Sequence, residues 1–379
     1  MGNAMLFGIL PSLAMIIGLA AAKPATGQPA PNPPTRAQPR PLQAATPPAA
    51  SQPASPQPGL ALLNEKLLAA GGDAAQAQYR RFLLVNLPRA FALSSDGKVG
   101  WRGGGTPESV RESALASCNS SGGTDCTLYA DGLAVVMAGR EVPPPPQAPP
   151  GPLLAGDGYA FIPDPRFIWW GPQRARGLYV FGHGYSGVEA RGIQPQAHVR
   201  AFNNAGFDVV RFDREASADV YKDRVAGWLR VGLRDLRARG WRLIVAGGQS
   251  RGAWNALQTL DTAGAADVVI AIAAASHGTN HSHQMLAGKA ELYTMFRAAA
   301  APQARVAIVQ FKGDNFEREP EKRFALAREH LAPRVGALLL IDQPPEITGH
   351  GGGASHRFAV DFGACLLRFA TDPVPPRSC

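Results

Sequence analysis

The stretch "LIVAGGQSRGAWNAL", residues 243–257, decides how the chain is read. An apolar run, Leu243 to Ala246, passes into Gly247-Gly248-Gln249-Ser250-Arg251-Gly252, and a segment with helical character follows at once. An apolar run closed by glycines reads as a buried strand. A strand that turns directly into a helix crowds its own backbone, so the residues flanking the turn must be small. The serine is then either part of an ordinary tight turn or a hydroxyl held away from the sheet for chemistry. Such a turn also puts the Arg251 amide at a helix N-terminus, where it can stabilise an oxyanion.

The surroundings favour a sheet of buried strands. From residue 153 onward the rhythm is strand, loop, helix. "RGLYVFGHGYSG" (176–187) is a strand ending in a Gly-His-Gly loop, and "GFDVVRFDRE" (206–215) is a strand that follows a helix. "DRVAGWLRVGLRDLRARG" (223–240) sets Val225, Leu229, Leu233 and Leu236 on one helical face, with Gly240 as its stop. "ADVVIAIAAASHG", "RVAIVQFKGD" and "GALLLID" are near-continuous apolar runs, as strands buried on both faces of a parallel sheet require. A final helix is expected from about Ala354 to Thr371.

The pentapeptide Gly248-Gln249-Ser250-Arg251-Gly252 is G-x-S-x-G, in itself a weak signal. Further features strengthen it. "FGHGYSG" lies at the end of an earlier strand, where the Tyr185 amide can supply a second oxyanion donor. Asp314 closes the strand "VAIVQFKGD", and a histidine follows in "ITGHGGGASHRF" before the last helix. The chain order is therefore Ser, Asp, His. With these motifs, residues 155–370 resemble the α/β-hydrolase superfamily. The resemblance implies an α/β fold: a mostly parallel, eight-stranded sheet with helices on both faces. It also implies a Ser-His-Asp triad and no metal or other cofactor. By position, Ser250 is the nucleophile, Asp314 the orienting acid, and Tyr185 and Arg251 the oxyanion donors. His350, in a glycine-rich loop, is preferred as base over His356, which falls roughly opposite the buried face of the last helix. Asp342, one strand later than the superfamily pattern expects, is the rival to Asp314.

Other residues near this edge invite weaker readings. His277, His281 and His283 in "SHGTNHSHQ" could ligate zinc, but no carboxylate or cysteine completes the set, so pocket lining is preferred, with His277 touching substrate. His183 and Asp213 are the other residues assigned to substrate contact, although a structural ion pair is the plainer reading of Asp213 and Arg214. Trp169 and Trp170 are expected in the core. The segment 276–304 is short and polar at its start, which argues against the lid of an interfacial lipase. Together these features predict an esterase acting on a small-molecule ester or acyl substrate, with two alternatives. One is a peptidase or amidase of the same fold, and the other a non-catalytic binding protein of the cell envelope.

The rest of the 379-residue chain sets the context. Apolar residues make up 45% of it, enough for a globular core. The formal charge of +9 comes mostly from scattered arginines, which suits weak attraction to anionic envelope surfaces and gives no nucleic-acid footprint. Residues 1–22 carry an uncharged apolar run ending in Ala20-Ala21-Ala22 and look like a secretory signal peptide, although no Lys or Arg precedes the run. Left uncleaved, the segment would tether the protein to the membrane. An exported protein, periplasmic or extracellular, is expected. Residues 23–58 are a Pro/Ala-rich disordered linker, 141–152 ("EVPPPPQAPPGP") a second Pro-rich break, and 153–379 the hydrolase domain.

Between the linkers, residues 59–140 read as a small α+β module. It comprises helical segments, a strand, an Asp-Gly turn, a strand, a helix and a returning strand. Thr106 is a good N-cap with Pro107 in the first turn. The chain has four cysteines, Cys118, Cys126, Cys365 and Cys379. An even count in an exported chain suggests disulfides, and the short loops favour Cys118 with Cys126 and Cys365 with Cys379. The pattern "AFA…DG…GW…AL..C……C.LYA" resembles a small disulfide-stapled module of bacterial exported proteins, a resemblance that implies support or binding and no chemistry.

Overall fold

The computed structural model describes residues 60–136, 142–185, 191–276 and 282–379. The signal-like segment, the Pro/Ala-rich linker, His277 and His281 lie outside them, and the side chain of His283 is likewise not described. The described residues belong to one compact unit built on two sheets.

The larger sheet has eight strands. Its parallel part contains β7 (Gly177–Gly182), β8 (Phe207–Arg214), β9 (Ile244–Gln249), β10 (Val268–Ile272), β11 (Ala301–Gln310) and β12 (Val335–Asp342). The hairpin β5 (Leu154–Gly156) and β6 (Tyr159–Pro163) joins antiparallel to β8 and completes the order β12-β11-β10-β9-β7-β8-β6-β5. This is an α/β fold. The hairpin was not among the strands read from sequence, because it is short, glycine-containing and ends on a proline.

Strand β7 lies between β8 and β9, so the chain leaves β7 in one direction and returns on its other side. Loops diverge at such a switch point and leave a crevice beyond the carboxyl ends of the strands, the usual ligand site of open α/β sheets. Helices cover both faces. On one face α4 (Lys222–Ala238), α5 (Arg251–Gln258), α6 (Ser282–Ala298) and α7 (Pro320–Leu326) bring Leu229, Leu233, Trp254, Phe296 and Phe324 into one core. On the other, α3 (Val199–Asn204) and α8 (His356–Thr371) bring Phe202, Phe358, Leu366 and Phe369 into a second. The apolar stripe of α4 read from sequence is the buried one. Among the described residues no helix is long and apolar enough to cross a membrane.

The smaller sheet has the order β2-β1-β3-β4, with β1 Arg89–Leu93, β2 Val99–Gly103, β3 Thr127–Asp131 and β4 Ala134–Val135. Helix α1 (Gly72–Phe82) precedes it, and α2 (Pro107–Ser120) packs Val110, Ala114 and Cys118 against Ala90 and Ala92. Thr106 and Ser109 form a reciprocal capping box at the start of α2. The opposite face gathers Tyr79, Phe82, Phe91 and Tyr129 into a cluster that also takes in Ile168 and Trp170. The two sheets thus share apolar core across the Pro-rich segment. Disulfides join Cys118 to Cys126 and Cys365 to Cys379.

Candidate active site

Ser250 sits between β9 and α5 with φ 55° and ψ −117°. A non-glycine residue at positive φ costs about 1–3 kcal/mol and persists only where its surroundings impose it. Here Ser250 N donates to Ile272 O at 3.0 Å, and Ser250 O accepts from Trp254 N at 3.0 Å and Ala275 N at 3.1 Å. The flanking glycines are a steric requirement. A methyl group on Gly248 would lie 2.5 Å from Gly182 O, and one on Gly252 would overlap the Gly182 carbonyl. Serine is a common N-cap residue, yet Ser250 occupies the N-cap position of α5 without making a side-chain cap bond.

The loop after β7 passes over this turn. A methyl group added to Gly184 would be 3.4 Å from Ser250 Cβ, so the backbone at residue 184 runs beside the serine. His183 is buried, and its Nδ1 donates to Gly184 O at 2.7 Å. Arg214 holds the same loop from below, Nη2 donating to His183 O at 2.9 Å. Tyr185 is exposed, with the Arg251 guanidinium carbon 6.0 Å from its ring centroid. Arg251 Nη2 donates to Ser276 O at 2.8 Å, which ties α5 to the end of β10.

Asp314 and His350 meet at the end of β11. His350 Nδ1 lies 2.9 Å from Asp314 Oδ1 and 3.0 Å from Oδ2, and the carboxylate is almost fully buried. A carboxylate only accepts, so in the neutral imidazole Nδ1 carries the proton and Nε2 keeps its lone pair. Nε2 is buried and has no hydrogen-bond partner among the described residues. Phe316 lies against the imidazole with centroids 4.2 Å apart, and its amide donates to Asp314 Oδ1 at 2.8 Å. Gln249, next to the serine, donates from Nε2 to His350 O at 3.2 Å.

Behind Asp314 lies a buried ion pair. Arg323 Nη2 meets Glu317 Oε2 at 2.5 Å, and Arg323 Nη1 donates to Ala274 O. Burial lowers the pKa of Arg323, while the charges of Glu317 and Asp314 act in the opposite sense. The pair fastens the loop that carries Asp314 to the end of β10.

The rival residues stand elsewhere. Asp342 is exposed and accepts from Gln343 Nε2 at 3.1 Å. His356 opens α8 and donates from Nε2 to Arg81 O at 2.9 Å. Asp213 does not fit substrate contact. It is buried, and its oxygens are engaged by the Arg211 guanidinium and the Gly192 amide, a structural ion pair as the plainer reading has it. His277 is outside the described residues, among which no group of three or more His, Cys, Asp or Glu is placed to hold a metal ion. Sequence reasoning missed Phe316, Gln249 and the Arg323–Glu317 pair. Gln249 was within reach as the variable residue of G-x-S-x-G, and Phe316 as the second residue after the acid. "EPEKRFAL" carries no local sign that its arginine is buried.

No family model matches the chain, and no curated protein matches it in sequence. In structure the chain is similar to an esterase of Pyrococcus furiosus, at 14% identity over 56% of this chain and 86% of that one, TM-score 0.40. It is similar to Est1E of Butyrivibrio proteoclasticus at 13% identity over 55% and 93%, TM-score 0.39. It is also similar to the acylaminoacyl peptidase of Pyrococcus horikoshii at 12% identity over 57% of this chain and 40% of that one, TM-score 0.40. The chain thus spans less than half of the peptidase. These likenesses are distant.

Proposed function

We propose that the protein is an exported serine hydrolase of the α/β-hydrolase type, cleaving carboxylic esters through Ser250, His350 and Asp314. The observation that carries this reading is His350, with one ring nitrogen on a buried carboxylate and the other buried and unpartnered among the described residues. The strained Ser250 elbow at the sheet's switch point supports it.

In this mechanism His350 Nε2 takes the Ser250 Oγ proton as Oγ attacks the ester carbonyl carbon. Asp314 fixes the tautomer and stabilises the imidazolium. The carbonyl oxygen gains negative charge and is met by the amides of Tyr185 and Arg251, each such donor contributing about 3–4 kcal/mol to the transition state. The carbon–oxygen bond to the alcohol breaks, and His350 returns the proton to the departing alkoxide. Water then attacks the acyl-enzyme with His350 again as base, which frees the acid and restores Ser250. The two disulfides suit an oxidising compartment outside the cytosol.

A fluorophosphonate probe tests this directly. The wild type is expected to label and Ser250→Ala is not, while a folded wild type that fails to label rules the mechanism out. A panel of short and long acyl esters beside aminoacyl amides then reads the substrate class, and preferential amide turnover would make the protein a peptidase.

A further inference from the structure

The structure assigns a task to the small-sheet region: we propose that residues 81–86 and Trp101 clamp the segment carrying His350 and so position the general base. This rests on the hydrolase reading above. His350 lies between β12 and α8, in a glycine-rich stretch that closes a 3-10 turn over Gly352–Ala354 and is tied to the end of β11 by Gly349 N, which donates to Lys312 O at 2.8 Å. Its downstream anchor is the first residue of α8, His356, and that anchor is held by the small-sheet region. His356 Nε2 donates to Arg81 O at 2.9 Å. Trp101, on β2, presents its ring edge-on to the same imidazole at 5.4 Å, and its own Nε1 is fixed by Gln78 Oε1 at 3.2 Å.

A second route reaches the same stretch from its other side. Asn86 Nδ2 donates to Pro195 O at 2.9 Å. Next to Pro195, Gln196 packs on Gly353, where a methyl group would come within 3.2 Å of the Gln196 side-chain oxygen. Asn204 Nδ2 on α3 donates to Leu83 O at 3.0 Å, and Arg200 Nε donates to Asn86 Oδ1 at 3.3 Å. The clamping segment is itself braced. Arg89 is fully buried and its Nη1 donates to the carbonyls of Phe82, Leu83 and Val85. The guanidinium thus satisfies the last carbonyls of α1 and holds the turn that follows. The small sheet adds a hold from outside to a loop that its own turn closes only locally.

His356→Ala and Trp101→Ala remove the clamp by different means, and His356→Gln keeps a donor for Arg81 O. In the two alanine variants, kcat on a short acyl ester is expected to fall about tenfold with KM unchanged within twofold. Amide hydrogen exchange over residues 344–355 is expected to quicken about tenfold, while β1 and β3 keep their protection. His356→Gln should retain more than half of the turnover. Unchanged exchange in both alanine variants overturns the clamp, as does a loss carried by KM, or a glutamine variant as impaired as the alanine one. Trp101→Ala decides the matter if His356→Ala does not fold. If wild-type Ser250 does not label with fluorophosphonate, the hydrolase reading has failed, and exchange over 344–355 alone judges the clamp.

Discussion

Helices α2 and α5 both pack on a strand through glycine, α2 near its C-terminal end at Ala114–Cys118 and α5 at its start, and their N-termini are treated in opposite ways. At α2, Thr106 and Ser109 satisfy each other's backbone amides, and Gly100 on β2 lets the helix close against the sheet. Of the first-turn donors of that helix, the Ser109 amide is met locally, and Pro107 has none to offer. At α5 the N-cap residue is Ser250, in a conformation that prevents capping, and the close approach is made by Gly182, Gly248 and Gly252. A capped helix start adds stability, whereas an uncapped one beside a nucleophile leaves donors for charge that develops during a reaction. The small sheet follows the first course and adds a disulfide, and the large sheet accepts strain at its switch point.

That contrast can be broken most severely at the elbow. Gly252→Ala drives a methyl into the Gly182 carbonyl, and turnover in an ester assay is expected to fall more than a hundredfold, with stability lower by about 3 kcal/mol. Arg323→Met leaves the Glu317 carboxylate buried and unpaired behind Asp314, a change expected to cost about 3–5 kcal/mol in denaturant unfolding. If stability holds, the acid loop is supported by other contacts than this pair.

Two buried groups sharpen the comparison through pH. Burial lowers the pKa of His198, which pairs with Tyr179, to about 3. Burial raises that of Asp208 to about 6, against hydrogen bonds from Trp170, Trp241 and Gly171. The unfolded chain protonates His198 near pH 6.5 and the folded chain does not, so this term is lost as pH falls from about 6.5 toward 3. The folded chain holds the Asp208 proton longer than the unfolded one, so that term is lost as pH rises from about 4 through 6. Between pH 4 and 6 the two offset. Asp208→Asn should therefore expose the His198 slope, a loss of about 1.4 kcal/mol per pH unit on acidification, read from unfolding midpoints in that range. A flat profile in the variant would show that His198 titrates in the fold.

Smaller effects belong to the small sheet. Replacing Cys118 and Cys126 by serine opens a bridge between residues 8 apart and is expected to lower stability by about 2.5 kcal/mol. Thr106→Ala removes the α2 cap at about 1 kcal/mol, with ester turnover unchanged. A turnover loss in Thr106→Ala would mean that the two helix starts are coupled.

Local chemistry made several features legible in the chain itself. Near-continuous apolar runs require strands buried on both faces, and glycines around Ser250 require a tight strand–helix turn. Thr106-Pro107 announces a helix start, and short loops between cysteines favour local bridges. Each is a matter of neighbours within a few residues. The β5–β6 hairpin carried too little pattern to be read. What pairs with what across the chain was decided by the tertiary structure. It brings His350, and not His356, to Asp314, 36 residues away in sequence. It leaves Asp342 exposed, consumes Asp213 in an ion pair and buries Arg323 behind the acid. It also carries the small sheet across a Pro-rich segment to share Trp170 and grip the start of α8. The physical reason is that contacts of this kind depend on where loop ends are carried by packed strands, which no local run of residues encodes.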